Sequence, residues 1–276
     1  LVLNLLVAIA KLIVGIASNS LAVIGDAAHS AVDSANNIVG LVAVHIASKD
    51  ADHDHPYGHS KIETLAAFVL AGLLWVTCFE IGIEAIRRLF QGQDEPANAT
   101  PAAFAVIGST LVVNIFVAQY EAYKARQLRS DFLMADAAHT RSDVLVTVTV
   151  LASLVKLKYG WERVDAVLSL MIAALIGRIG FQVFQRTVPV LVDASALEEN
   201  TVRRVVEQVK GVENAHAIRT RRAGEVIFLD LHIVIDAGLD SQQAHDVSEA
   251  VEERLASAFG MTSATVHVET SRHCGQ

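Results

Sequence analysis

Asp26-Ala27-Ala28-His29-Ser30-Ala31-Val32-Asp33 and Asp136-Ala137-Ala138-His139-Thr140-Arg141-Ser142-Asp143 are two copies of one pattern, D-A-A-H-x-x-x-D, each set in a long apolar stretch. Residues i and i+4 of a helix share a face, so in each copy the histidine and the second aspartate point together. Charge deep in a bilayer costs on the order of several kcal/mol per group. A divalent cation held between two such helices offsets that cost. Two imidazoles and two carboxylates form a nitrogen/oxygen donor set of the kind zinc accepts in tetrahedral geometry. His29, Asp33, His139 and Asp143 are therefore the candidate ligands of a membrane metal site. Helix-end or packing polar residues would account equally well for one copy; two copies in separate apolar helices favour ligands. Asp26 and Asp136 lie about one turn earlier. They stay outside the ligand set, either as partners of the ligands or as residues near a helix end in water.

The surrounding chain reads as a helical membrane domain. A spanning helix needs about 20 mostly apolar residues. Six stretches qualify: 1–17, 21–48, 62–90, 102–123, 132–157 and 164–190. The breaks carry turn or polar chemistry: Ser18-Asn19-Ser20, a His-rich loop at 49–61, a Gly/Pro/Asn/acid segment at 91–101, and a basic segment at 124–131. The break at 156–163 holds Tyr159-Gly160-Trp161, an aromatic pair suited to the membrane interface. The chain opens at Leu1 inside an apolar run, which reads as a first span without its N-terminal flank. A signal peptide is the competing reading, weakened by the missing basic n-region and by the spans that follow.

Composition agrees with this division. Of 276 residues 53% are hydrophobic, against about 45–50% in soluble chains, and the excess lies before about residue 190. The expected domains are 1–190, a six-helix transmembrane transport domain, and 191–276, a soluble domain. Lys and Arg are balanced between the two sides, so the positive-inside rule leaves orientation open. An even number of spans puts both termini on one side. With two cysteines, Cys78 and Cys274, no disulfide framework is expected, which favours a cytoplasmic soluble domain. The net charge of −8 and the lack of a basic run exclude a nucleic-acid surface and suit cations. Aromatic residues are 6% of the chain, too few for an aromatic-lined organic-cation pocket. An enzymatic zinc centre, with three ligands and an adjacent base, does not stand out.

Beyond residue 190 the periodicity changes. The segment 197–209 has helical spacing, 212–221 and 226–236 alternate as strands around an Ala223-Gly224 turn, 241–259 reads as a helix capped by Ser241, and 265–269 as a last strand. The order α-β-β-α-β implies a small two-layer α/β domain similar to a ferredoxin-like fold without its first strand. Two further groups of ligand-type residues stand out. Asp52-His53-Asp54-His55-Pro56-Tyr57-Gly58-His59 follows the second span and suits metal capture, with a solvated polar loop as the alternative. His216, His232, His245, His267 and Glu269 lie on strands and a helix of the soluble domain, where they either converge on one edge of the sheet or remain separate surface residues.

Taken together these stretches resemble the cation diffusion facilitator family. The paired D-A-A-H-x-x-x-D helices carry the resemblance, with His55-Pro-Tyr-Gly-His59-Ser-Lys61-Ile-Glu63, Tyr159-Gly-Trp161 and His216-Ala-Ile-Arg-Thr-Arg221. It covers essentially the whole chain. It implies a membrane transport site at His29, Asp33, His139 and Asp143, a loop site at Asp52, His55 and His59, and a binuclear cytoplasmic site at His216, His232, His245, His267 and Glu269. It also implies a homodimer in a bacterial inner membrane, exchange of metal for protons, and an interlock between Lys61 and Asp193. The chain departs from a bacterial member at two positions, with His29 and Glu269 in place of aspartates. The His-Asp/His-Asp set that His29 completes shifts the expected ion toward Zn²⁺ and away from Cd²⁺, Fe²⁺ or Mn²⁺, an exporter preferring Cd²⁺, Fe²⁺, Co²⁺ or Mn²⁺ being the alternative. The longer Glu269 bears on the bridging geometry of the cytoplasmic pair. The sequence reading is thus a Zn²⁺/H⁺ antiporter working by alternating access. The competing reading is a membrane-bound metal sensor or assembly partner that binds without transport.

Overall fold

The computed structural model describes residues 37–91, 101–128, 130–156 and 162–271, together with Leu5, Ile9, Leu12, Ile13 and Ile16. Those five early residues are helical and exposed, at spacings that place them on one helical face. The chain divides into two compact units, Leu1–Thr187 and Val188–Gln276.

The first unit is helical. α1 (Asn37–Ala47) is followed by α2 (Lys61–Gln91), α3 (Pro101–Leu128), α4 (Asp131–Lys156) and α5 (Glu162–Leu191). Small residues set how closely these helices approach. Ala67, Leu70, Ala71 and Leu74 of α2, Phe132, Ala135 and Ala138 of α4, and Ile176 and Val183 of α5 form one buried cluster. Val44 of α1 packs against it. α3 presents the buried Ala118, Ala122 and Ala125. Gly40 is the tightest point: a Cβ there would lie 1.7 Å from Phe132 Cζ, so the absent side chain is what lets the α4 ring seat on α1. Gly180 similarly lies against Trp75, whose Cδ1 would be 3.1 Å from an added Cβ.

Outward, α2 shows Leu65, Val69, Val76, Phe79 and Ile83, all exposed. An exposed apolar stripe of that length, interrupted only by Glu80, belongs in lipid rather than water. Among the described residues, Lys61–Arg87 and Val167–Leu191 are long and apolar enough to cross a membrane. α4 is equally long but carries Asp131, Asp136, Arg141 and Asp143. α3 runs past the apolar limit at residue 123 to Leu128, because Lys124, Ala125 and Arg126 are good helix formers. Most of the first span, and most of the second, lie outside the described residues.

The second unit runs α6 (Glu199–Val206), β1 (Val212–Ala223), β2 (Val226–Ile235), α7 (Ser241–Phe259) and β3 (Thr262–Thr270). The sheet order is β1-β2-β3, with β1/β2 antiparallel and β2/β3 parallel. Alternation along β2 decides its two faces. Ile227, Leu229, Leu231 and Ile233 pack with Val202 and Val206 of α6 and Val251 and Leu255 of α7. Phe228, Asp230 and His232 point the other way. The hairpin turn is Gly224-Glu225, one residue later than expected, with Gly224 at φ 60°. α7 is capped by Asp240, not Ser241: the Asp240 side chain accepts from Gln243 N (2.8 Å), while Gln243 Oε1 accepts from Asp240 N (3.0 Å). The buried Thr220 fastens the segment entering this unit, its Oγ1 accepting from the amides of Ala196 and Leu197, both at 3.0 Å.

Candidate metal centres

Three groups of ligand-type side chains can be followed from local structure upward. In α4 the helical i,i+4 relation brings His139 Nε2 to 3.8 Å from Asp143 Oδ2. His139 is buried and Asp143 nearly so. The surrounding hydroxyls bond back to the helix rather than competing for the ligands: Ser142 Oγ donates to the His139 carbonyl (2.8 Å) and Thr147 Oγ1 to that of Asp143 (2.7 Å). The other half of this candidate site, His29 and Asp33, lies outside the described residues, as does Asp26. Asp136 is buried rather than solvated.

The sequence reading passes over Glu121. On α3 its Oε2 accepts from Thr140 Oγ1 at 2.9 Å, so a second carboxylate meets the ligand helix one position from His139. The signal was a charge inside an apolar stretch, two positions before the expected end of that span, where it reads as a helix-end residue.

The loop after α1 is ordered by its own backbone. Asp52 Oδ1 accepts from His55 N (2.7 Å) and Asp54 N (3.0 Å), and Gly58 N donates to the His55 carbonyl (2.9 Å), with Gly58 at φ 81° where a Cβ would be strained. The His55 amide, foremost among these contacts, holds the Asp52 carboxyl below its ordinary value. His59 is buried, and its Nδ1 lies 3.2 Å from the Asp50 carbonyl oxygen. A carbonyl only accepts, so Nδ1 carries the proton and Nε2 offers its lone pair. That Nε2 is 3.4 Å from Asp52 Oδ2, and the His55 and His59 rings are 4.3 Å apart. Asp52, His55 and His59 thus converge.

In the second unit the strand register builds the site. His216 pairs with His232 and His232 with His267, so three imidazoles form one row across the sheet. Their ring centroids are 5.4 and 4.6 Å apart. The row lies on the open face of the sheet, not at an edge as the sequence suggested. Just past His216 the β1 register slips by one residue, with Ala217 at φ 52°, a bulge that re-aims the strand beside the site. Glu269 shares the face. Its Oε1 is 2.6 Å from His232 Nδ1, and its Oε2 is 3.3 Å from His216 Nε2. The His232 hydrogen bond, foremost, keeps the Glu269 carboxyl below its ordinary value. His216 Nε2 is shielded from solvent and makes no hydrogen bond despite that nearby oxygen. His267 is 3.9 Å from Glu269. His245 does not join: on α7 it faces Glu249 at 3.3 Å, and this helix packs on the opposite sheet face.

These separations fit a small cation. Donors at the corners of a zinc tetrahedron with bonds of about 2.0–2.1 Å stand about 3.3–3.4 Å apart. Asp52/His59 and His216/Glu269 meet that spacing, and His139/Asp143 needs a small side-chain adjustment.

The cation efflux transmembrane domain is matched over residues 1–192, and the cytoplasmic domain of cation efflux proteins over residues 194–271. The transporter MJ0449 of Methanocaldococcus jannaschii is 31% identical over 268 residues, covering 96% of this chain and 94% of that one. The cation-efflux pump FieF of Shewanella oneidensis is 28% identical over 265 residues, covering 93% and 87%. The manganese efflux system protein MneS of Bacillus subtilis is 25% identical over 260 residues, covering 94% and 89%. A membrane-integral helical unit and a small cytoplasmic α/β unit, each matched by its own family model, come together as one conclusion: the chain belongs to the cation efflux family, the cation diffusion facilitators, and is a metal-cation transporter rather than an enzyme.

Proposed function

We propose that the protein exports Zn²⁺ in exchange for protons by alternating access, as a homodimer in a bacterial inner membrane with its C-terminal domain in the cytoplasm. Six spans carry the transport site at His29, Asp33, His139 and Asp143. The observation that carries the reading is the repeated D-A-A-H-x-x-x-D, whose described copy places a buried His139 beside a largely buried Asp143 in a helix seated on α1 through Phe132 and Gly40. Two imidazoles in the set favour zinc over harder ions. Ligands must be deprotonated to hold metal, and an unperturbed imidazole titrates near pH 6.5, so proton entry and metal release are one linked event at the same groups.

Asp52, His55 and His59 form a second cation site on the loop, while His216, His232, His267 and Glu269 hold metal in the cytoplasmic domain and bias the two copies toward each other. The manganese efflux relative supports a second reading, in which Mn²⁺ is the cargo. Uptake of Zn²⁺ and Mn²⁺ in separate proteoliposome assays, with a pH dye inside, decides between them. Zinc flux with opposing proton movement supports the first, and manganese flux without zinc flux replaces it.

A further inference from the structure

We propose that Glu63 is a positioning residue for the transport site, holding the ligand-bearing helix α4 to the start of α2. The inference rests on the reading that His139 and Asp143 hold the transported ion.

Glu63 sits in the first turn of α2, directly after the loop: Ile62 N donates to the His59 carbonyl (2.9 Å) and Glu63 N to that of Ser60 (3.2 Å). Its side chain reaches across to the N-terminus of α4. Glu63 Oε1 accepts from Ser130 Oγ and from Phe132 N, the latter at 3.3 Å. Ser130 Oγ in turn accepts from Leu133 N (3.1 Å). The opening amides of a helix lack partners within it. Here one is capped by the local serine and one by a carboxylate from a different helix. The negative charge also stands at the positive end of the α4 dipole.

The same turn carries Phe132, 5% exposed, whose ring occupies the space a Cβ at Gly40 would need. Glu63 therefore fixes from α2 the turn that seats on α1. From that turn to His139 and Asp143, α4 is a single helix without glycine or proline, so rotation or sliding at its start is passed on to the ligands, with His139 lying about 13 Å from Ser130 at 1.5 Å per residue. A carboxylate placed only to cap α4 could have come from α4's own flank. This one ties together α1, α2 and α4, and α1 lies in the stretch that carries the other ligand pair.

The test uses the full chain in detergent, in a parent carrying Asp52→Ala, His232→Ala and Glu269→Ala to silence the other candidate centres. Co²⁺ is the probe, read by calorimetric titration and by its visible ligand-field bands, which report coordination geometry. Glu63→Ala is expected to weaken Co²⁺ binding roughly tenfold, about the effect of losing one charge-assisted hydrogen bond, and to change the spectrum. Glu63→Gln retains an acceptor oxygen and is expected to restore binding to within about threefold of the parent.

Unchanged affinity and spectrum in Glu63→Ala, even with a lowered melting temperature, would mean an ordinary cap and overturn the inference. Should Glu63→Ala not fold, Ser130→Ala decides, with weaker binding and an altered spectrum expected and parental behaviour overturning it. His139→Ala and Asp143→Ala in the same parent separate the two levels. If they bind Co²⁺ as the parent does, the transport-site reading itself falls, and this inference with it. If they abolish binding while the Glu63 and Ser130 variants bind normally, only this inference falls.

Discussion

Glu269 accepts from His232 through one oxygen and faces His216 with the other, so its charge state governs the cytoplasmic centre. Its carboxyl is held below its ordinary value of 4.5, chiefly by the His232 hydrogen bond. A carboxylate with a lowered folded pKa stabilises the folded domain above its unfolded value, and that contribution disappears as pH falls through the lowered value. The His232 hydrogen bond thus favours the ionised form of Glu269, the form able to accept from His232 and face His216. In protein carrying Asp52→Ala and Asp143→Ala, zinc affinity measured against a competing chelator is expected to fall as the pH is lowered, because ligands must be deprotonated to hold metal. Affinity that holds level down to 4.5 would contradict this. Sequence named five candidate ligands for this centre. Four share a face because strand register places His216, His232 and His267 in one row and the period of two puts Glu269 beside them. His245 was included on residue type alone; on α7 its helical spacing gives it to Glu249. Glu121 was legible only as a charge near a helix end and Glu63 only as the last residue of the loop motif, since nothing local in sequence says which other helix they touch.

Element by element, the long helices were legible because apolar length and charged breaks are strong signals, and their ends were less so. α3 continues past its apolar residues, and Asp240 rather than Ser241 caps α7, because one residue's shift decides which side chain can reach Gln243 N. Nothing in the sequence announces the contact between Gly40 and Phe132, which depends on how two helices meet. That contact makes a sharp prediction. Gly40→Val places carbon within the Phe132 ring, and overpacking of this kind costs about 1–3 kcal/mol. A lowered melting temperature in detergent is expected, with partial recovery when Phe132→Leu is added. Additive losses in the double variant would contradict it. In the cytoplasmic unit Leu255 is fully buried between α7 and the sheet. Leu255→Ala is expected to destabilise that unit by about 2–5 kcal/mol, seen as earlier exchange of its β2 amides, while the α4 amides keep their protection. Equal loss in both units would contradict the division into two.

At the scale of the whole molecule, the chain is a membrane-integral helical unit followed by a cytoplasmic α/β unit. The composition shift near residue 190 is the signal in sequence for two parts, and the two family models match residues 1–192 and 194–271. What sequence cannot supply is selectivity, because a nitrogen/oxygen donor set admits several divalent ions and the choice turns on geometry. If the cytoplasmic centre draws two copies together, zinc is expected to shift the purified chain toward the dimer in sedimentation, with His232→Ala removing the shift and leaving zinc bound at the membrane site. Loss at both sites together would contradict separate centres. The most direct test of the central claim is zinc flux in proteoliposomes with an internal pH dye, comparing the native chain with Asp33→Ala and Asp143→Ala. Zinc movement accompanied by opposite proton movement, and abolished by either substitution, is the predicted result; flux that survives both substitutions would contradict the site, and zinc binding without flux would contradict transport.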